Sequence, residues 1–375
     1  MRIFGSGELA GEIQKGGLCI GCGACVDLCP YFRSHHGRTV QVFLCSLAQG
    51  RCFAACPKAE VDLDELAGIY WGQAYEGAPL GKFEESLAAR AGGKMPPGGF
   101  QAGGTVSALL VQAMSQGLIE AAVLTGRDES GPLPLVAESI DEIIASASSK
   151  FGAAPTLAAL NRAAAAGRRN LGVVGTPCQI TALAKMRSNP LHREDFVDPV
   201  SLEIGLFCNW SLDQRAFGAY LAKLLPDPSG IKAIDIPPPP ANVMRLDMGD
   251  EVREIPLDEI RSLIPDVCGL CPDMTSEWAD VSVGMYEGRP GWNMLLVRTA
   301  KGRALVENAV ASGLLLTEPA PSVEHLSGAA AAKKRRAFQA MKERGLVNPQ
   351  EENARAMLRV TAEVLNKIID GGSHA

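Results

Sequence analysis

Apolar residues take helical and strand spacings from roughly residue 100 onward, whereas the first segment, to about Val61, shows neither. Phe100 to Gly126 reads as a glycine turn, a helix with Val106, Leu109, Leu110, Ala113 and Met114 at three- and four-residue spacing, and a short apolar strand. Leu157 to Val174 repeats the plan, an Ala-rich helix leading through the polar turn Gly167–Asn170 into a buried strand, Leu171–Val174. A third strand, Val200 to Phe207, ends at Cys208 and precedes a helix that runs to Leu225. Ile236 to Ala241 is a proline-rich bend, and Val243 to Ile255 alternates as a hairpin with Gly249 and Asp250 near its turn. Strands are expected at Ala279–Gly284 and Gly291–Thr299, and the chain after Lys301 reads as helical. Within it, Lys333 to Arg336 reads as a solvated helix face. The pattern is that of αβ units, in which ligands sit beyond the carboxyl ends of strands, here at Gly175–Gln179 and Cys208.

Composition narrows the function. The 375 residues are 47% hydrophobic and 21% charged, with no apolar run of the roughly 18 residues a membrane helix needs. With 36 basic against 42 acidic residues the net charge is −6, which leaves no basic excess for a nucleic acid partner. Met1 to Leu18 holds acids and glycines and no apolar core, so it is not a secretory signal, and a cytoplasmic protein is expected.

Cysteine changes the picture most. Eleven is an odd number in a long chain without an export signal, which favours metal ligation or redox chemistry over a disulfide framework. Cys19-x2-Cys22-x2-Cys25-x3-Cys29-Pro30 is the bacterial ferredoxin run, whose first three thiolates grip a 4Fe–4S cube while the fourth serves a neighbour. Zinc would need only pairs of cysteines, with no use for a third at that spacing or for the proline. The first cluster's fourth ligand is expected at Cys56, before Pro57. The returning run is irregular: Gln49 and Ser46 stand where ligands belong, and Cys45 lies one place off. A second cluster would use Cys29, Cys45 and Cys52 with one further ligand, His35 and His36 being nearest; otherwise it has three cysteines only, or the loop is remodelled. Metal rather than an apolar core would hold this segment. The last four cysteines, Cys178, Cys208, Cys268 and Cys271, total the thiolates one more cluster requires.

Gly103-Gly104-Thr105 before a helix, Val174-Gly175-Thr176-Pro177-Cys178-Gln179, Gly205-Leu206-Phe207-Cys208, and Cys268-x2-Cys271 leading to Ala279–Gly284 and Gly291-Trp292 occur in this order. In these motifs the chain resembles the coenzyme F420 hydrogenase/dehydrogenase beta-subunit family over about residues 65 to 320. The resemblance implies one FAD, bound without a GxGxxG fingerprint, beside a 4Fe–4S cluster on Cys178, Cys208, Cys268 and Cys271. It implies a flavin lining of Gly103, Gly104, Thr105, Lys150, Gly175, Thr176, Pro177 and Gln179. Flavin exchanges hydride for single electrons and clusters carry single electrons, so no side chain needs to act as acid or base. The expected fold is α/β: a ferredoxin-like domain at 1–62, an α/β flavin and iron–sulfur domain with a mixed sheet at 63–320, and a helical tail at 321–375. The implied function joins hydride transfer with coenzyme F420 or another carrier to a redox partner subunit, a hydrogenase, formate dehydrogenase or heterodisulfide reductase-like protein. Reduction of a pigment double bond and a flavin-free electron relay are the alternatives.

Overall fold

The computed structural model of the chain describes residues 1–128, 131–320, 322–349 and 354–371. In chain order its strands begin with β1 (Phe32–His35), β2 (Arg38–Gln41), β3 (Val61–Asp62), β4 (Glu85–Ala91), β5 (Ala121–Asp128), β6 (Gly131–Ala137), β7 (Leu171–Gly175) and β8 (Val200–Leu206). They continue with β9 (Ala233–Asp235), β10 (Val243–Asp247), β11 (Val252–Pro256), β12 (Val281–Met285), β13 (Asn293–Val297), β14 (Leu315–Pro319) and β15 (Leu358–Arg359). One eight-stranded sheet has the order β14-β4-β13-β12-β8-β7-β5-β6. Strands β12, β8, β7 and β5 are parallel, while β6 on one side and β13, β4 and β14 on the other pair antiparallel. The chain is thus an α/β protein with a mixed sheet, as its pattern predicts.

Adjacent strand residues point to opposite faces, so a strand covered on both sides reads as an unbroken apolar run. In β7, Val173 joins a core with Leu157 and Leu160 of the helix Thr156–Ala165 and Leu183 of the helix Pro177–Arg187. Its neighbour Val174 joins the opposite core with Leu109 and Val111 of the helix Thr105–Ser115 and Leu305 of the helix Ala300–Ser312. The expected hairpin is β10–β11, with Gly249 in the left-handed region at φ 94° in its turn. With β9 and the helix Gln214–Leu224 it buries a core of its own around Phe217, Met244 and Ile255.

Three readings of the sequence are corrected. The stretch after Lys301 is not helical throughout, because the helix ends at left-handed Gly313 and β14 follows as an edge strand on β4. An edge strand tolerates Pro319, which could not donate to a central ladder. The first segment is held by apolar burial as well: Leu9, Ile13, Phe32 and Phe53 share one core with Phe338, Met341, Leu358 and Leu365 from beyond residue 320. Strand β15 pairs with β3, and buried Glu60 receives both Arg2 and Arg359, at 2.9 and 2.6 Å. Lys333 and Lys334, finally, are buried at 5% and 2% exposure, and only Arg335 and Arg336 of that basic run face solvent.

Phe338 is fully buried in the core shared by the first segment and the helix Glu324–Glu343. Phe338→Ala is expected to cost about 3–5 kcal/mol. Urea unfolding would measure the loss, with amide exchange at Leu9, Ile13 and Phe53 accelerating in the same variant.

Candidate functional site

The late cysteines come from three separated elements. Cys178 stands in the first turn of the helix that follows β7, where Pro177 occupies the start and Thr176 and Gln179 cap reciprocally. Cys208 lies two residues past β8, its N–H donating to Met274 O at 2.9 Å. Cys268 and Cys271 flank a tight turn, and the loop beyond is fixed by Asp273, whose carboxylate accepts the N–H groups of Thr275, Ser276 and Glu277 at 2.8, 2.8 and 2.9 Å. Burial pushes the Cys178 thiol up to about 11 and that of Cys208 to about 12, with Cys271 and Cys268 adding to both and Cys178 adding at Cys208. Cys268 is raised for the same reasons. Lys58 opposes the rise at Cys178 and Cys268, and Lys333 opposes it at Cys208 and Cys268. Lys333 reaches the set from the helix Glu324–Glu343, donating to Cys208 O and to Asp273 O at 2.6 and 2.8 Å.

The ferredoxin run forms a second thiol set. Burial raises Cys22 well above the usual thiol range, with Cys25, Cys56 and Cys178 adding, and it raises Cys25, with Cys56 and Cys19 adding. Cys56 is pushed up to about 11 by burial, against the charge of Lys185, whose Nζ donates to Cys56 O at 2.9 Å. Cys19, Cys22, Cys25 and Cys56 line one cavity with Leu9, Ile13, Leu18 and Lys58. The run is clamped to the α/β body: Leu157 N donates to Cys22 O at 3.1 Å, and the Asn161 amide donates to Ala24 O and Val26 O at 3.1 and 2.6 Å. Gly23, at φ 85°, lies so near this helix that a Cβ would sit 2.5 Å from Pro155 O.

The three remaining thiols, Cys29, Cys45 and Cys52, also fall together. Cys52 is pushed up to about 11 by burial, with Cys29 and Cys45 adding. The nearest histidines in sequence lie on the hairpin between Cys29 and Cys45. His35 and His36 sit at the tip of the β1–β2 hairpin, while Cys29 and Cys45 lie outside its two strands, at the other end. Among the described residues no three His, Cys, Asp or Glu side chains converge tightly enough for a single metal ion.

The residues expected at a flavin fall into two groups. Gly103 is pressed against β4 and β13, where a Cβ would lie 2.5 Å from Asn293 Oδ1 and 2.9 Å from Ala89 O. Thr105 N donates to the same Asn293 Oδ1 at 3.3 Å, while the buried Thr105 hydroxyl has no partner. Gly104, the residue before the helix, is left-handed at φ 73°. An unpartnered hydroxyl at a helix N-terminus fits a polar cofactor atom. Lys150 is tied to this region through Ser149 N, which donates to Gln101 Oε1 at 2.6 Å, and its Nζ donates to Ser146 O, Ala147 O and Ser148 O at 2.7, 3.1 and 2.8 Å. Gly175, Thr176, Pro177 and Gln179 lie instead on the Cys178 side, and the Gln179 amide donates to Ala154 O and Thr156 Oγ1, both at 3.0 Å. Sequence reasoning missed Lys58, Lys185, Lys333 and Asn293. One signal was available, since Lys333, Ala337 and Met341 recur at four-residue spacing on a buried helical face.

Residues 87–161 match the amino-terminal part, and residues 168–323 the carboxyl-terminal part, of the coenzyme F420 hydrogenase/dehydrogenase beta-subunit family. The coenzyme F420 hydrogenase subunit beta of Methanothermobacter thermautotrophicus is 30% identical over 289 residues, 72% of this chain and 99% of that protein. The chain belongs to this beta-subunit family. The coenzyme F420-dependent sulfite reductase of Methanocaldococcus jannaschii is 30% identical over 312 residues, 80% of this chain and 47% of that protein. A chain in a solved structure of the F420-reducing NiFe hydrogenase complex from Methanosarcina barkeri superposes with a TM-score of 0.63 at 25% identity, covering 71% of this chain and 94% of that one. Like its named relatives, the beta-subunit family member is an oxidoreductase. No described helix is long and apolar enough to cross a membrane.

Burial, with the charge of Arg127, pulls Lys150 down to about 8. Between that value and the roughly 10.4 of an unfolded lysine, the unfolded chain keeps a proton that the folded chain has released, so stability rises with pH across this window. Below it both states are protonated and the cost of burial is constant. The unfolding free energy of the wild type minus that of Lys150→Met is therefore expected to rise by on the order of 2 kcal/mol from about pH 7.5 to about pH 10, read from urea titrations.

Proposed function

We propose that the chain is the iron–sulfur flavoprotein subunit of a redox complex, exchanging hydride with coenzyme F420 and single electrons with a partner hydrogenase or formate dehydrogenase subunit. The observation that carries this reading is the grouping of eight cysteines in adjoining places: Cys19, Cys22, Cys25 and Cys56 line one cavity, Cys178 and Cys271 line the cavity beside it, and Lys333 bonds Cys208 O and Asp273 O together. Bound FAD would supply the exchange between a hydride and two single electrons, and 4Fe–4S clusters would carry those electrons singly. The chain's own residues hold and orient: Cys19, Cys22, Cys25 and Cys56 hold one cluster, and Cys178, Cys208, Cys268 and Cys271 the other. Gly103, Gly104 and Thr105 offer a glycine backbone and a buried, unpartnered hydroxyl for a flavin, with Lys150 near them. Cys29, Cys45 and Cys52 offer a third, three-thiol position.

One observation favours a second reading, a relay without flavin. The Gln179 amide and the Lys150 ammonium already bond to backbone carbonyls of the chain itself, so fewer of the expected polar groups are free for a cofactor. Flavin content separates the two readings.

Cys271→Ser is expected to remove about one cluster's iron, roughly four atoms per chain, while leaving the signal of the ferredoxin run. Unchanged iron would refute the late set. Cys45→Ser tests the third position through iron content and the paramagnetic signals of the reduced protein; loss of neither would leave that cysteine without a role in a cluster. Anaerobically reduced, FAD-loaded protein, freed of reductant and given oxidised coenzyme F420, should bleach the deazaflavin absorbance while its flavin reoxidises. Flavin that stays reduced would remove F420 as the substrate.

A further inference from the structure

Three lysines are buried around the two thiol sets, and each approaches from a different part of the chain. Lys185, in the helix after Cys178, donates to Cys56 O and Ala59 O and faces the ferredoxin-run set. Lys333 donates to Cys208 O and Asp273 O and faces the late set. Lys58, 4% exposed, belongs to both. It lines the cavity that holds Cys19, Cys22, Cys25 and Cys56, and it lines the neighbouring cavity that holds Cys178 and Cys271. Its Nζ donates to Leu270 O at 3.2 Å, one residue before Cys271. The backbone thus joins Lys58 to the first set through Pro57 and Cys56, and a hydrogen bond joins it to the second.

Adding an electron to a cluster adds negative charge, and a cation held nearby in a medium of low dielectric favours that step. A cation facing one cluster raises the potential of that cluster more than that of its neighbour. A cation between two clusters raises both together and leaves the difference that drives transfer between them nearly unchanged.

We propose that Lys58 is a shared positioning residue, a buried ammonium placed between the two thiol sets that raises the reduction potentials of both clusters together, while Lys185 and Lys333 each serve one. The inference rests on the assignment of the two sets to 4Fe–4S clusters.

The test is EPR-monitored redox titration of the anaerobically reconstituted full chain as wild type, Lys58→Met, Lys58→Arg and Lys333→Met, with Cys271→Ser identifying the late cluster's signal. Lys58→Met is expected to disfavour reduction of both clusters by on the order of tenfold, 59 mV for one electron. Lys333→Met is expected to move the late cluster further than the other, and Lys58→Arg, which keeps the charge, to move neither by more than about threefold. A Lys58→Met that moves one cluster or none overturns the proposal, as does a Lys58→Arg that moves both as far as the methionine. Should Lys58→Met fail to hold iron, retention of both clusters by Lys58→Arg supports the role of the charge, and loss of iron from both variants overturns it. A wild type that binds no iron at either set refutes the cluster assignment itself, and the proposal with it.

Discussion

Sulfur ligands can be sunk into apolar protein as thiolates only where positive charge is sunk with them. Of the eight thiols in two adjoining sets, Cys22, Cys25, Cys56, Cys178, Cys208 and Cys268 are desolvated, and three buried lysines answer them with ammonium groups anchored on carbonyl oxygens. The requirement reaches far beyond the site, because these lysines arrive from three places: the turn after Cys56, the helix Pro177–Arg187 and the helix Glu324–Glu343. Only when all three are docked is the charge in place.

That requirement accounts for the way the chain closes on itself. The helix carrying Lys333 buries Phe338 and Met341 in the core that also holds Leu9, Phe32 and Phe53. Arg298, fully buried, donates to Leu80 O and Thr275 O at 2.9 and 3.1 Å and so joins β13 to the loop beyond Cys271. The positions of the late thiols are consequently set by the sheet and by the final helices at once.

What the sequence disclosed follows from which forces are local. Cysteine spacing is a local signal, so the run from Cys19 to Cys29 and the pair Cys268 and Cys271 stand out at once, whereas Cys178, Cys208 and Cys45 do not. The central strands were equally legible, since a strand covered on both faces must be continuously apolar. A buried lysine leaves no such record: Lys58 and Lys185 look like surface residues until the carbonyls they bond are known. Lys333 and Lys334 were hidden differently, inside a run whose other half, Arg335 and Arg336, does face water. The edge strand β14 is five residues long and pairs with β4, more than two hundred residues earlier in the chain, a contact no local pattern encodes. His35 and His36 are close to the trio in sequence, but the hairpin carries them to its far end.

The clamp of Leu157 and Asn161 on the ferredoxin run has a kinetic meaning. A carrier on a flexible tether passes its charge at the pace of its swing, slowing in a viscous solvent and stopping when frozen. The Cys22 loop is instead bonded through its own backbone to the helix Thr156–Ala165, in the same body as the late thiols. Transfer between clusters seated at these two sets would be governed by a fixed tunnelling distance and would continue in a glass.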